Sequence, residues 1–294
     1  MSPKIQLTRN DEYSVHSQFG EDGILARILG TLGVQCGTAV EFGASDGILF
    51  SNTANLRAQG WKTVLIEGNE YEFSKLKALR NERTITVNAM VEPAGVSSLD
   101  GILDDLRIDA IDVLSIDIDG GDLDILRHLK RRPRIICIEF NPTIPPPCRF
   151  ANPPGELKGS SLAEIKAAAE ERGYHLVYAT YCNAFLIHGD DSAPFELRDA
   201  HSAFHMWERG AIACFCDGEF TVVGNRNART LRNPWSTVPV FIPRLPKALL
   251  SWPPTRTKVL LSYLFCALAA PAFYVRELAV ESSRVLARQP RGWS

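Results

Sequence analysis

Seven short runs of apolar and β-branched residues lie between Thr38 and His188, and their spacing limits the folds that this chain can adopt. The runs cover residues 38–43, 62–67, 83–88, 111–117, 134–140, 174–180 and 182–188. Helical patterns follow the first five runs, at about 51–59, 71–81, 97–106, 122–131 and 159–172. Strands that alternate with helices in this way form a parallel sheet with right-handed crossovers.

The last two runs break this alternation. Tyr174–Thr180 and Cys182–His188 are too close for a crossover helix, so we expect them to form an antiparallel hairpin. The sequence therefore predicts an α/β fold with five parallel strands and an antiparallel terminal hairpin in one sheet flanked by helices. Dinucleotide-binding sheets usually end without such a hairpin. We predict that residues 1–190 form this domain and that residues 191–294 form a C-terminal extension.

Composition excludes some classes of partner and compartment. The chain has 294 residues and a formal net charge of −2, so no broad basic surface is expected and nucleic acid is not a predicted partner. Its seven cysteines form an odd set without a C-x-x-C pair, which favours reduced thiols over a disulfide framework. The polar stretch Met1–Gln6 lacks the apolar core of a signal peptide. We therefore expect a cytoplasmic protein.

The most informative motif is Ala39–Gly47, where an apolar strand runs through Glu41 into a turn bracketed by Gly43 and Gly47. Glycine permits a positive φ and a close approach of a ligand to the backbone. The dinucleotide fingerprint G-x-G-x-x-G does not fit, because its second glycine would fall at Ala44 or Ser45. Glu41 suits a ligand that carries a cation near the turn. An ordinary strand-to-helix turn is the alternative interpretation.

Polar residues also end the second and third strands. Glu67 lies where a carboxylate accepts hydrogen bonds from the two ribose hydroxyls of a nucleoside ligand. The alternative for Glu67 is an acid that is stabilised by a helix N-terminus. Asn88 and Ala89 close the third strand, where such folds contact the adenine edge.

Carboxylates cluster after the fourth and fifth strands. Asp117, Asp119 and Asp122 would repel one another unless they are solvated, cap a helix or hold a cation. We expect Asp119 to cap the following helix and Asp122 to occupy its first turn. A shared Mg²⁺ or Ca²⁺ is an alternative, but no metal is predicted. Glu139 leaves an apolar strand, where burial raises a carboxyl pKa and favours a general base; a buried, paired acid is the alternative.

Several motifs together resemble the FkbM-type methyltransferases over about residues 14–190. They are Ser17–Gly23, Val40–Gly47, Ile66–Gly68, Asp112–Gly120 and the hairpin strand that begins Asn183–Ala184–Phe185. The resemblance implies a Rossmann-like class I methyltransferase sheet that binds S-adenosylmethionine and transfers a methyl group to a hydroxyl. By position it implies a cofactor site made of Glu41, Gly43, Ala44, Asp46, Gly47, Glu67 and Asp117. Asp119 departs from the family, since many members have glutamate there.

On this basis we expect O-methylation of a hydroxyl on a glycan, a glycolipid or a secondary metabolite. A sulfonium is already activated, so the protein mainly has to align the acceptor oxygen with the methyl carbon and the sulfur. Asp119 or Glu139 is the predicted base for the hydroxyl proton, and His16 is a third candidate. Two alternatives remain: a NAD-dependent oxidoreductase on a Rossmann sheet, and a non-catalytic, membrane-associated scaffold.

The C-terminal extension contains an uncharged apolar run at 259–275, which is flanked by Arg256, Lys258 and Arg276. It is at the short limit for crossing about 30 Å of hydrocarbon. A helix packed on the domain, a membrane-surface anchor and a true span are the three interpretations. Because basic residues follow the run, we expect peripheral membrane contact through residues 259–288.

Two further features of the sequence allow more than one interpretation. The proline-rich stretch 141–157 follows the fifth strand and is either a substrate wall or a surface excursion. His201, His205, Cys214 and Cys216 have the ligand types of a zinc site, but C-x-C is unusual spacing for structural zinc, so no zinc site is predicted.

Overall fold

The computed structural model describes most of the amino-terminal two thirds of the chain and short parts of the rest. The described residues are 3–142, 144, 149–155, 159–203, 230–233, 236–241, 257, 260, 261, 264 and 268. The chain divides into two units, Met1–Asn141 with Arg149–His205, and Pro142–Cys148 with Met206–Ser294. The predicted boundary after residue 190 stays a prediction.

The first unit contains a seven-stranded sheet. Its strands are β1 (Thr38–Phe42), β2 (Lys62–Glu67), β3 (Thr84–Asn88), β4 (Val113–Ile116), β5 (Ile135–Glu139), β6 (Tyr174–Ala179) and β7 (Asn183–His188). Their order is β3-β2-β1-β4-β5-β7-β6. Strands β1 to β5 are parallel, and β7 lies antiparallel between β5 and β6. The predicted sheet with five parallel strands and an antiparallel hairpin is therefore confirmed.

Helices connect and cover the strands. They are α1 (Glu21–Leu32), α2 (Ala54–Ala58), α3 (Glu70–Leu76), α4 (Leu99–Asp105), α5 (Asp122–His128), α6 (Leu162–Glu171) and α7 (Ala200–Ala203). The helix predicted at 51–59 begins only at Ala54, because the preceding residues Ser51, Asn52 and Thr53 form hydrogen bonds to Glu41. The helix predicted at 71–81 continues beyond α3 as a short 3₁₀ turn, Lys77–Leu79.

The core lies where α1 packs on the sheet. Ile24 and Ile28 of α1 belong to one buried cluster with Val113 of β4 and Phe185 of β7. Parallel strands that are covered on both faces consist of nearly continuous apolar residues, and the strands of this sheet have such sequences. The strand order reverses between β1 and β4, since β1 leads to β2 on one side and β4 leads to β5 on the other. Such a reversal opens a crevice at the carboxyl ends of the strands.

The second unit contains a two-stranded antiparallel hairpin, β8 (Thr230–Asn233) and β9 (Ser236–Phe241). In the predicted apolar segment 259–275, four leucines lie on helical residues and are exposed: Leu260, Leu261, Leu264 and Leu268. Among the residues that the structure describes, no helix is long and apolar enough to cross a bilayer. His205, Cys214 and Cys216 of the rejected zinc pattern lie outside the described residues.

An ion pair joins Arg134, the residue before β5, to Asp191 in the turn that follows β7. The Arg134 guanidinium donates two hydrogen bonds to Asp191, from Nε to Oδ2 and from Nη2 to Oδ1, both of 2.8 Å. These bonds lower the pKa of Asp191, so its carboxylate stabilises the fold above the unfolded-state pKa and loses that effect as the pH falls.

We expect Asp191→Asn to lower the free energy of unfolding by about 1 kcal/mol at pH 7. The deficit should begin to shrink below about pH 4, where the carboxylate of the unfolded wild type takes up a proton before that of the folded protein does. Urea denaturation at pH 7 and at about pH 3.5 measures both values, with Asp190→Asn as a control, because Asp190 is 91% exposed. An equal deficit at both pH values would show that the carboxylate charge is not the cause.

Candidate functional site

A cavity of about 1000 Å³ lies at the carboxyl ends of β1 to β5, where the crevice is expected. Eight of the eleven predicted site residues line it: Glu41, Gly43, Ala44, Glu67, Ala89, Asp117, Asp119 and Glu139. The remaining lining residues are Gln18, Ser45, Leu49, Phe50, Ser51, Gly68, Asn69, Met90, Val91 and Ile118. The structure therefore brings together, in one pocket, residues that are up to 98 positions apart between Glu41 and Glu139.

Three predicted cofactor residues are not among the lining residues. Asp46 Oδ1 accepts hydrogen bonds from the backbone N–H groups of Ile48 and Leu49, at 2.8 and 2.9 Å. Asn88 donates from Nδ2 to the carbonyl oxygen of Glu67, at 2.8 Å. Gly47 faces the protein interior. The structure therefore places none of these three residues on the pocket wall.

The two glycines of the turn have the left-handed backbone that the sequence predicted, with φ of 71° at both Gly43 and Gly47. At both glycines, other protein atoms occupy the position that a Cβ would take. A Cβ on Gly43 would overlap the backbone carbonyl oxygen of Asp117, and one on Gly47 would lie 2.6 Å from Leu76 and 2.8 Å from Leu79. Backbone conformation and close packing therefore require glycine at both positions, and a close approach of a ligand to Gly43 stays a prediction.

Glu41 lines the pocket, but its carboxylate is also a structural acceptor. It is 4% exposed and accepts hydrogen bonds from Ser51 Oγ (2.6 Å), the Asn52 N–H (2.7 Å) and Thr53 Oγ1 (2.6 Å). Burial raises the pKa of Glu41, and these three bonds oppose that rise. The arrangement fixes the segment between β1 and α2, a role that the sequence did not reveal.

We expect Glu41→Gln to lower the free energy of unfolding by about 1–3 kcal/mol, because the new amide N–H₂ faces groups that donate to the carboxylate. Thermal unfolding without ligand measures this loss, and Glu70→Gln, an exposed acid in α3, is the control. If stability were unchanged and only cofactor affinity fell, Glu41 would be a ligand-binding residue alone.

Glu67 is held in place and keeps acceptor capacity. Its Oε2 accepts from the Ser45 N–H and its Oε1 from the Asn69 N–H, both at 2.7 Å. Each carboxylate oxygen has a second lone pair, so the side chain can accept two more hydrogen bonds from the pocket. This is the geometry that a ligand with two neighbouring hydroxyls requires.

Asp122 fixes the loop after β4 through its carboxylate. The prediction that Asp119 caps the following helix is corrected by this arrangement. Its carboxylate is buried and accepts from the N–H groups of Ile118 (2.8 Å) and Gly120 (2.9 Å). Burial raises the pKa of Asp122 to about 6. The predicted helix cap at Asp119 is wrong: the residue before α5 is Gly121, which makes no side-chain cap, while Asp119 has φ of 59° and is exposed.

Asp117, Asp119 and Glu139 form a cluster in the pocket, with one carboxylate oxygen of each lying within 4.8 Å of the others. Burial, with the charges of Asp122 and Asp119, raises the pKa of Asp117 to about 8. Burial and the Asp117 charge also raise the pKa of Glu139. Asp117 and Glu139 are close enough for a hydrogen bond between their carboxyl groups. The cluster can hold a proton or a cation, and Glu139 lies where a general base was predicted.

The amino-terminal motif Ser17–Gly23 folds over this edge of the sheet. Glu21 is fully buried and accepts from the Phe19 N–H (2.7 Å) and from Asn183 Nδ2 (3.2 Å) of β7. The acid thus ties the loop to the hairpin, and Gln18 lines the pocket. His16, the third candidate base, is half-buried and is not among the lining residues.

An apolar rim at the pocket mouth was not predicted from the sequence. Leu49 and Phe50 line the cavity and are 61% and 46% exposed, beside Ile48 at 46%. Phe50 has φ of 62°, which is uncommon for a residue with a bulky side chain. The signal in the sequence was the run of three apolar residues directly after Gly47, in a stretch where a surface turn would normally be polar.

Comparison with known families identifies the domain. Residues 91–176 match the methyltransferase FkbM domain. The matched stretch is less than a third of the chain's 294 residues. The match confirms the resemblance to the FkbM-type methyltransferases over these residues. The sheet order, with β7 antiparallel to β5, is that of the class I methyltransferase fold. No curated protein matches the chain.

Solved structures similar to this chain include a TehB-like S-adenosylmethionine-dependent methyltransferase from Corynebacterium glutamicum. It has 11% identity and a TM-score of 0.37, and the match covers 60% of this chain and 88% of that one. A putative caffeoyl-CoA O-methyltransferase from Staphylococcus aureus has 11% identity and a TM-score of 0.40, covering 61% and 87%. M. capricolum TrmK, in complex with S-adenosylhomocysteine, has 13% identity and a TM-score of 0.35, covering 55% and 66%.

Proposed function

We propose that this protein is an S-adenosylmethionine-dependent O-methyltransferase that acts on a hydroxyl of a small molecule, a glycolipid or a glycan. The observation that carries the proposal is the pocket in which Glu67, at the end of β2, and the Asp117–Asp119–Glu139 cluster, after β4 and β5, face one cavity of about 1000 Å³. A cavity of this size accommodates a nucleoside cofactor together with part of an acceptor.

The residues present fit the cofactor. Glu67 keeps free lone pairs for two ribose hydroxyls, and Ala89 and Met90 offer an apolar wall after β3 for a base. The turn around Ala44 is fixed by Gly43 and by the bond from Ser45 to Glu67. When it is bound, S-adenosylmethionine supplies a methyl group on a positively charged sulfonium. The acidic lining of the pocket complements that charge.

Two side chains are proposed to accept the hydroxyl proton. Desolvation raises the pKa of Glu139, which brings its carboxylate closer to the basicity that general-base catalysis at neutral pH needs. Asp119 is exposed at the same cluster and offers a second acceptor. The remaining contribution of the protein is alignment of the acceptor with the donor, which can supply several kcal/mol of the barrier reduction.

The acceptor class is the finer part of the proposal. The rim formed by Ile48, Leu49 and Phe50 offers apolar contact beside the acidic floor, which suits an acceptor that has an apolar part next to the reacting hydroxyl. Gln18 adds a neutral amide that can donate to or accept from a hydroxyl group.

Ligand-dependent thermal stabilisation tests the proposal against both alternatives. We expect S-adenosylhomocysteine to raise the melting temperature of the full chain, and NAD(H) to leave it unchanged. Stabilisation by NAD(H) alone would favour the oxidoreductase. No stabilisation by either compound would favour the scaffold, and the proposal would then be abandoned.

We further propose a cytoplasmic protein with peripheral membrane contact through residues 259–288. Free thiols at Cys36, Cys137 and Cys182 support a reducing compartment. The exposed leucines of the segment, at positions 260, 261, 264 and 268, support insertion of an apolar helix face at a bilayer surface. Co-sedimentation with anionic vesicles, compared with a L260S/L264S variant, tests this contact. Equal sedimentation of the two proteins would contradict it.

A further inference from the structure

We propose that Asp117, Asp119 and Glu139 bind one hard divalent cation, of the Mg²⁺ class, on the floor of the pocket. The sequence alone allows such an ion but does not predict it. Cation binding itself is independent of the proposed function. The role inferred for the ion, holding and polarising the acceptor hydroxyl, rests on that function.

The spacing of the three carboxylates is the first observation. One oxygen from each lies within 4.8 Å of the other two. Mg²⁺ and Ca²⁺ bind oxygen ligands at about 2.0–2.6 Å, so two oxygens on one ion lie roughly 3–5 Å apart. All three ligand atoms can therefore reach a common ion. Oxygen-only ligands favour these cations over zinc.

The second observation is a buried oxygen without a donor. Glu139 Oε2 is inaccessible to solvent and accepts no hydrogen bond from the described residues. The Glu139 side chain lines the pocket and faces Asp117 closely enough to share a proton. A buried carboxylate oxygen needs a donor or a cation, because its desolvation is otherwise uncompensated.

The third observation concerns the surrounding charges. Within the part of the chain that the structure describes, the ion pairs of lysine and arginine side chains involve other acids, and none involves Asp117, Asp119 or Glu139. Asp122 also stays out of the cluster, since both of its oxygens accept backbone N–H groups. The three ligands therefore present concentrated negative charge to the pocket, and a bound cation would neutralise it.

The position of the ion would serve methyl transfer. Ligands from β4 and β5 lie on the side of the pocket away from Glu67, which is proposed to hold the ribose. A cation there can bind the acceptor oxygen, lower the pKa of its hydroxyl and fix its direction of attack. An acceptor with a second oxygen beside the reacting hydroxyl would chelate the ion, so vicinal hydroxyls are the expected substrate class.

Electron paramagnetic resonance of Mn²⁺ tests the site without requiring activity. The full chain, freed of metal by EDTA and dialysed, is titrated with Mn²⁺ at about pH 8, where carboxylates are the ligand form. We expect one bound ion per chain that Mg²⁺ displaces, and an affinity that falls roughly tenfold or more in Asp119→Asn and in Glu139→Gln. Glu67→Gln, which alters a pocket carboxylate outside the cluster, should bind Mn²⁺ as the wild type does.

Absence of bound Mn²⁺ in the wild type, or unchanged binding in both cluster variants, would overturn the proposal and leave a shared proton between Asp117 and Glu139. Asp119 is exposed, so its variant remains informative if Glu139→Gln does not fold. Binding of S-adenosylhomocysteine is measured on the same samples. If the nucleoside binds and Mn²⁺ does not, the cation site fails and the proposed function stands. If Mn²⁺ binds and the nucleoside does not, the cation site stands and the proposed function fails.

Discussion

Glu67→Ala is expected to weaken the binding of S-adenosylhomocysteine by roughly a hundredfold. The variant removes a carboxylate that can accept from both ribose hydroxyls, and each hydrogen bond to a charged group contributes about 1.5–3 kcal/mol. The loss of two such bonds corresponds to at least about 3 kcal/mol, which is a change in affinity of a hundredfold or slightly more. Isothermal titration calorimetry of the wild type and the variant measures the difference.

Glu67 also accepts the N–H groups of Ser45 and Asn69, so its removal could loosen the pocket indirectly. Thermal unfolding without ligand separates the two effects, and Glu70→Ala, which changes a nearby exposed acid that does not line the cavity, is the matched control. An affinity within threefold of the wild type in Glu67→Ala would remove this residue from the cofactor site, a threefold change being only about 0.65 kcal/mol.

Gly43→Ala is expected to lower the free energy of unfolding by about 3 kcal/mol or more. The position has φ of 71°, which strains any residue with a Cβ, and the added atom would overlap the carbonyl oxygen of Asp117. The end of β1 or of β4 must then move, which would displace the carboxylates on the pocket floor. Chemical denaturation measures the loss of stability, and cofactor titration measures its effect on binding.

Gly33→Ala is the control for this substitution. Gly33 has nearly the same backbone angle, with φ of 69°, but no atom lies within 4 Å of the point that a Cβ would occupy, so only the backbone strain of about 1 kcal/mol remains. Equal losses of stability at the two positions would contradict the close approach of β1 and β4 on which the pocket geometry depends.

The sheet could be predicted from the sequence because its signal is local. Buried parallel strands read as continuous apolar runs, and the observed β1, β2 and β5 begin within one residue of the predicted starts. The hairpin was also predictable, since the short gap between β6 and β7 excludes a crossover helix.

The roles of single polar residues could not be predicted, because they depend on contacts between distant parts of the chain. Glu41 was expected to face a ligand, yet it accepts from residues 51–53, ten to twelve positions away. Asp119 was expected to cap a helix, but Asp122 fixes the preceding loop and leaves Asp119 in the pocket. A strand pattern predicts which edge a carboxylate reaches, but not which donors it meets there.

The most direct test of the central claim is a crystal structure of the full chain grown with S-adenosylhomocysteine. We predict the nucleoside in the cavity at the carboxyl ends of β1 to β4, with its ribose hydroxyls on the Glu67 carboxylate and its adenine beside Ala89. Electron density for the nucleoside elsewhere on the molecule, or a well-ordered cavity that stays free of it at saturating concentration, would contradict the claim.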